Sequence, residues 1–406
     1  MNQTSKLWTT QFTAIVLMAF LFFLCLQLLT AGFPAFITDV KNNPAQGGLM
    51  TTVFMAAAIA TRPFVSSLMQ KMDNKKLSLL SLGFIAISVG LSFGQESVGL
   101  LLLLRIFHGI GFGVITTIFS TMATNIIPTH RLGEGIGYYG LATSVGTSLG
   151  PMLALALLQI FSFNILIILS ILLTIITLIL NLFVKGPERP VPAKKAVQKV
   201  SFKEHAFDRK AFTPAILTAF FSITLGGVIS FLRELGKEAN IVASISLFFL
   251  VLTIMMILVR PVSGRMFDKY GHKVIIYPAT IAGIIGLSLL AFTQNTLTLL
   301  IAAGFYGVAY GTVTPTLQAL AVSSVPKEKQ GTANAMYFSS MDLGMALGST
   351  GLGILASYTS YHFLYGFSVV FLLGLLLAYT LIFVKGKPAA AKYVESSREI
   401  SGDIGI

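Results

Sequence analysis

A chain of 406 residues with 55 % hydrophobic and only 11 % charged residues carries too little charge to cover a water-soluble globule, since soluble domains average about a quarter charged residues. A net charge of +13 would suit a nucleic-acid partner. The basic residues instead fall between apolar runs and form no single patch, which argues against nucleic acid and for a lipid bilayer.

The apolar runs come near 12–36, 46–69, 77–95, 98–126, 134–159 and 162–184, and resume near 212–235, 241–264, 274–293, 296–324, 332–357 and 361–384. Each has about the 20 residues that a spanning helix needs. The first is too long for a signal peptide and is read as a retained membrane helix. The only cysteine, Cys25, lies inside it, so an intrachain disulfide is excluded and a thiolate metal site is disfavoured.

A constant offset links the two series. Arg62-Pro63 and Arg260-Pro261 are 198 apart (260 − 62), and the same step carries Gly109 onto Gly307, Gly113 onto Gly311, Pro128 onto Pro326, Gly133 onto Gly331, Gly146 onto Gly344 and Gly150 onto Gly348. So many helix-shaping residues at one spacing mean two copies of one unit, a transporter pattern. The fold expected is an all-α membrane protein of about twelve transmembrane helices in two pseudo-symmetric six-helix bundles. Residues 1–185 form the first bundle, 186–210 a cytoplasmic linker, 211–385 the second bundle and 386–406 a cytoplasmic tail. The linker is rich in proline and lysine, with room for a short interfacial helix near 201–209. Basic residues concentrate after runs 2, 4, 6, 8 and 10, as in Lys71, Lys75, Lys76, Arg131, Arg265, Lys269, Lys327 and Lys329. That bias places both termini in the cytoplasm of a multi-pass protein of the cell membrane.

The segment Gly264–Lys273, GRMFDKYGHK, resembles the loop signature of the major facilitator superfamily. The resemblance implies six-plus-six helices around a central cavity that opens to alternate sides. It marks Arg62, Arg260, Gly264, Asp268, Gly271 and Lys273 as a conformational motif, read here as a tight turn between two helix ends. There Asp268 can meet the positive end of a neighbouring helix. The first copy departs from the pattern, with Ser66, Gln70 and Asp73 where the second has Gly264, Asp268 and Gly271.

Run 4 carries Arg105, His108 and Gly109, similar to the helix-4 signature of the same family, which assigns the arginine to proton coupling. An arginine inside a membrane run is costly and faces a cavity or a partner; the alternative is a snorkelling arginine. In run 5, Gly137, Gly146, Gly150 and Pro151 match the family's antiporter spacing, although Ala154-Leu155 replaces the closing glycine pair. Taken alone, such glycines form a packing face.

One acid falls deep in an apolar run, Asp342. Lipid and protein solvate its charge poorly, so it can exchange protons or attract a cation; the alternative is a structural hydrogen bond. Arg105 and Asp342 lie in opposite halves, and a closure that joins them is the expected gate. Glu134, at the start of run 5, and His108 complete the proton-coupling candidates, although a core histidine is the commoner state. Gln27, Tyr138, Tyr139, Phe231, Tyr310, Tyr337 and Phe338 are the candidate cargo-lining residues, each also readable as packing. The five histidines show no metal-ligand spacing, and no phosphate-cradling Gly-x-x-x-x-Gly-Lys occurs.

The function expected is a proton-coupled exporter of amphipathic drug-like molecules, working as a monomer on a proton gradient without cofactor or metal. The alternatives are an exporter or facilitator of one metabolite, such as a metal-chelating small molecule, a sugar or a peptide, and, less favoured, a membrane enzyme or lipid-handling protein.

Overall fold

The computed structural model describes residues 6–41, 44–158, 160–184 and 207–385. Residues 186–206 of the expected linker and the expected tail 386–406 lie outside the described residues.

Apolar runs close their backbone hydrogen bonds internally, as lipid requires, and give α1 Thr10–Lys41, α2 Pro44–Lys71, α3 Asn74–Gly90, α4 Val98–Ile126, α5 Leu132–Leu158 and α6 Phe163–Phe183. They are followed by α7 Arg209–Glu238, α8 Ile245–Tyr270, α9 Lys273–Ala291, α10 Thr296–Ser323, α11 Gln330–Leu347 and α12 Tyr361–Thr380. A π-helical turn, Gly348–Leu352, and a last short helix, Gly353–Tyr358, extend α11. No strand occurs among the described residues. Ten of the helices are long and apolar enough to cross a membrane. Of the two others, α3 has 17 residues, about 26 Å at 1.5 Å per residue, and α11 is interrupted by its π-turn. Exposed Leu, Ile and Phe side chains such as Ile87, Ile160, Leu258 and Phe292 cover the outside, a surface that suits lipid and not water.

Several boundaries shift by a few residues from the sequence expectation, and two of the shifts have a visible cause. The α3 helix starts early because Asp73 accepts from the amides of Lys75 and Lys76 at its N-terminus, at 2.9 and 3.2 Å. The α8 helix runs six residues past the expected 264, so most of the segment Gly264–Lys273 is helical; the turn is at Gly271, whose φ of 77° suits only glycine.

Two hydrophobic cores form, one mainly from α1–α6 and one from α7–α12. The first core also takes in Ala319, Val322, Val325 and Ala333 of the second series. These sit where α10 and α11 meet the loops that carry the basic residues, here called the basic face. The two series are therefore joined at that face.

Candidate functional site

The seam between the two helix series is closed at the basic face by a carboxylate clasp. The two oxygens of Asp268, near the end of α8, accept from the amides of Gly133 and Glu134 at 2.7 and 2.8 Å. Those amides belong to the first turn of α5, which has no helical acceptors for them and carries the positive end of the helix dipole. Approach this close needs glycine on both sides: a Cβ on Gly264 would lie 2.5 Å from the carbonyl oxygen of Gly133, and one on Gly137 would lie 2.9 Å from that of Arg260. Around the clasp, Glu134 accepts from Arg131 at 2.8 Å and Arg265 at 3.0 Å, and Arg265 reaches the Tyr138 hydroxyl at 3.2 Å. Glu134 and Tyr138 thus belong to the clasp and not to a mid-membrane cavity. Lys273 is exposed and forms no ion pair among the described residues.

About nine residues up α2 from its basic end, some 14 Å, Arg62 crosses the seam to Asp342 of α11. Its Nε donates to Asp342 Oδ2 at 2.8 Å, and its Nη2 lies 2.7 Å from the same oxygen. Nη1 donates to Thr116 at 3.1 Å and Thr117 at 3.4 Å. The guanidinium carbon lies 5.4 Å from the Phe112 ring centre and 5.0 Å from that of Phe338. Arg62 is fully buried and Asp342 8 % exposed. The acid therefore has a partner, but not the one expected.

The expected closure of Arg105 on Asp342 is absent. Arg105, on α4 toward the opposite face, donates to the Met50 carbonyl at 3.3 Å and lies 3.0 Å from Nδ1 of His108. It is sandwiched by Phe54 and Phe33, at 4.2 and 4.9 Å. No carboxylate pairs with it among the described residues. It sits too far up the bundle to reach α11, whereas Arg62 is at the depth of Asp342.

A polar seal missed by the sequence reading lies beside the ion pair. Gln318 of α10 donates to Ser120 of α4 at 2.7 Å and to Asn334 of α11 at 3.0 Å, and Ser120 donates to Asn334 at 2.9 Å. Gln318 and Ser120 are themselves 198 apart (318 − 120), so the repeat offset, applied to polar residues, would have pointed to them. Toward the opposite face, the last cross-seam hydrogen bond among the described residues is Ser148 to Thr253 at 3.1 Å.

The remaining candidates divide. Phe338 covers Arg62, Tyr337 donates to the Thr314 carbonyl at 3.2 Å, and Tyr310 lies under Arg260 at 5.9 Å, so these three do face the seam. Tyr139 is buried on α5 with its hydroxyl unbonded. Phe231 instead packs on Tyr361 and against Gly353 within the second series. Gln27 sits on α1 where Gly150 meets it, and Gly146, one turn earlier, meets the Phe20 carbonyl, so these two glycines seat α5 on α1 just before Pro151.

A family model described as Major Facilitator Superfamily matches residues 15–349, and again 227–401. A "Multi-drug resistance efflux pump PmrA homolog" of Lactococcus lactis is 29 % identical over 284 residues, 67 % of this chain and 69 % of the relative. The "Riboflavin transporter RibZ" of Clostridioides difficile is 22 % identical over 80 % of this chain and 82 % of its own. The crystal structure of a human organic anion transporter, MFSD10, shares the fold at a TM-score of 0.79 and 15 % identity, over 91 % of this chain and 98 % of that one. The chain belongs to the Major Facilitator Superfamily: it is a membrane transporter and not an enzyme.

Proposed function

We propose that this member of the superfamily exports amphipathic drug-like molecules across the cell membrane in exchange for protons, with the basic face toward the cytoplasm. The observation that carries the reading is the buried Arg62–Asp342 pair across the seam. Removing the charge of one partner of a buried pair leaves the other uncompensated, at a cost of about 3–5 kcal/mol. A proton taken up by Asp342 from the opposite face therefore weakens the joint that keeps the cytoplasmic side shut. Opening that side exposes the acid to the cytoplasm, where it loses the proton and cargo enters. Closure re-forms the pair and carries cargo outward. The proton and the seam are thus coupled through one contact, as alternating access by exchange requires.

A drug-type cargo is supported by the Lactococcus lactis relative and by the glycine spacing of α5. A single-metabolite cargo is the second reading, supported by the riboflavin transporter among the relatives. Inverted vesicles offered a panel of amphipathic dyes from outside, with and without an imposed pH gradient, test both. Gradient-driven uptake of several dyes is expected in the wild type, and its loss in Asp342→Asn with dye binding retained. Undiminished gradient-driven uptake in Asp342→Asn would rule out the proton role, uptake indifferent to the gradient would mark a facilitator, and uptake of no dye would favour the single metabolite.

A further inference from the structure

The offset that relates the two copies carries Arg62 onto Arg260 and Phe112 onto Tyr310; run backwards, it carries Asp342 onto Ser144 (342 − 198) and Phe338 onto Gly140 (338 − 198). The second arginine therefore has no acid at the equivalent place and only one of the two aromatic neighbours, Tyr310. Arg260 is 4 % exposed, yet its guanidinium donates to no acceptor among the described residues, and its Nε is wholly enclosed. It lies 5.9 Å from the Tyr310 ring centre, and the Tyr310 hydroxyl hydrogen-bonds no described residue either. A Cβ on Gly140 would collide with Arg260 Nη1; the missing side chain gives the guanidinium its place. Tyr310 stacks on Phe221 at 6.1 Å and 17°, and Phe221 on Tyr306 at 5.9 Å and 14°; the two inner rings are fully enclosed and hold Tyr310 in place beside the cation.

A buried guanidinium without a counter-charge is expensive to keep. Its planar fork fits a carboxylate through two parallel hydrogen bonds, and a phenol hydroxyl beside it adds a third donor. We propose that Arg260 and Tyr310 are the anion-binding end of the cargo site, taking the carboxylate of an aromatic small molecule whose ring lies against Tyr310. This rests on the transporter reading above for there being a cargo, and not on proton coupling.

Equilibrium binding to the purified full chain in detergent, with no gradient, tests it. The probes are a series of aryl carboxylates, such as 1-pyrenebutyrate, each paired with its methyl ester. The wild type should bind the acids about 10- to 100-fold more tightly than the esters, the range for hydrogen bonds to a charged group. Arg260→Gln should remove that preference and leave ester binding unchanged; Arg260→Lys should restore part of it. Should Arg260→Gln fail to fold, Gly140→Ala, which intrudes on Nη1, and Tyr310→Phe should each weaken acid binding selectively. No acid preferred over its ester in the wild type, an equal loss of acid and ester in the variants, or displacement of the acids by equimolar chloride or phosphate would overturn the site. Because no gradient is applied, a failed proton role for Asp342 leaves this result untouched, and a wild type that exchanges dyes for protons yet shows no preference for acids sinks the anion site alone.

Discussion

The two seam interfaces, α2 with α11 and α5 with α8, descend from one repeat and solve closure differently. The first is held by side chains: Arg62 on Asp342, with Thr116, Thr117, Phe112 and Phe338 around it. The second adds close backbone contact to its side chains: glycines 133, 137 and 264 bring α5 and α8 together, Asp268 caps the α5 amides, and Arg265 reaches Glu134. A joint made of a titratable pair can be released by a proton. The clasp lies at the face that opens and must part with it, and its glycines set how closely that face can shut. Duplication supplied two equal interfaces; substitution at a handful of positions made one a buried ion pair and the other a close-packed clasp.

The sharpest way to break this comparison is to neutralise both arginines. Arg62→Met leaves the Asp342 carboxylate buried and alone, so a loss of about 3–5 kcal/mol is expected. Arg260→Met leaves no orphaned acid and should be neutral or stabilising. Thermal unfolding of the purified variants reads the difference, and the double variant Arg62→Met/Asp342→Leu should recover most of the loss, because the two residues are coupled. Equal damage at the two arginines would mean that both are ordinary packing residues.

A smaller effect sharpens the clasp. Gly264→Ser puts a side chain against the Gly133 carbonyl, which a Cβ would approach to 2.5 Å; overpacking of this kind costs about 1–3 kcal/mol. Its equivalent in the first copy is already Ser66, buried at 2 % exposure, so Ser66→Gly should cost under about 1 kcal/mol. The close-packed clasp fails as a reading if Gly264→Ser keeps both its unfolding midpoint and its transport rate.

Much of this was legible in the chain. Apolar run length set the helix count, since lipid leaves the backbone no alternative. The offset of 198 set the architecture and, with Asp268 and its glycines, the clasp. The rarity of acids singled out Asp342. Its partner was not legible, because four arginines lie within apolar runs, and choosing among Arg62, Arg105, Arg233 and Arg260 requires depth and facing, which depend on how the bundles meet. The aromatic candidates did worse: Tyr138 went to the clasp and Phe231 to the far end of the second series. Aromatic side chains fill any apolar bundle, so their presence in a run says little about which face they take.

The weakest contrast is between the basic residues that open α5 and α11. Arg131 turns to Glu134 within the clasp, whereas its repeat equivalent Lys329 (131 + 198) reaches back to Asp208, at 3.1 Å, where Asp208 also accepts from the Lys210 amide at 2.9 Å to cap α7. Burial works against the Asp208 carboxylate, but the Lys210 amide and Lys329 outweigh it and hold the group below the ordinary carboxylate range. A depressed folded-state value stabilises the protein above the unfolded value, about 3.9 for aspartate, and that contribution disappears as pH falls through the folded value. Asp208→Asn keeps a capping side chain and removes only the charge. Because Lys329 is 41 % exposed, the pair is screened and should contribute under about 1 kcal/mol. Unfolding midpoints of wild type and Asp208→Asn should therefore differ slightly at pH 7 and converge in acid below the folded-state value; a gap that stayed constant down through that range would assign the Asp208 contact to capping alone and leave Lys329 without a share in the fold.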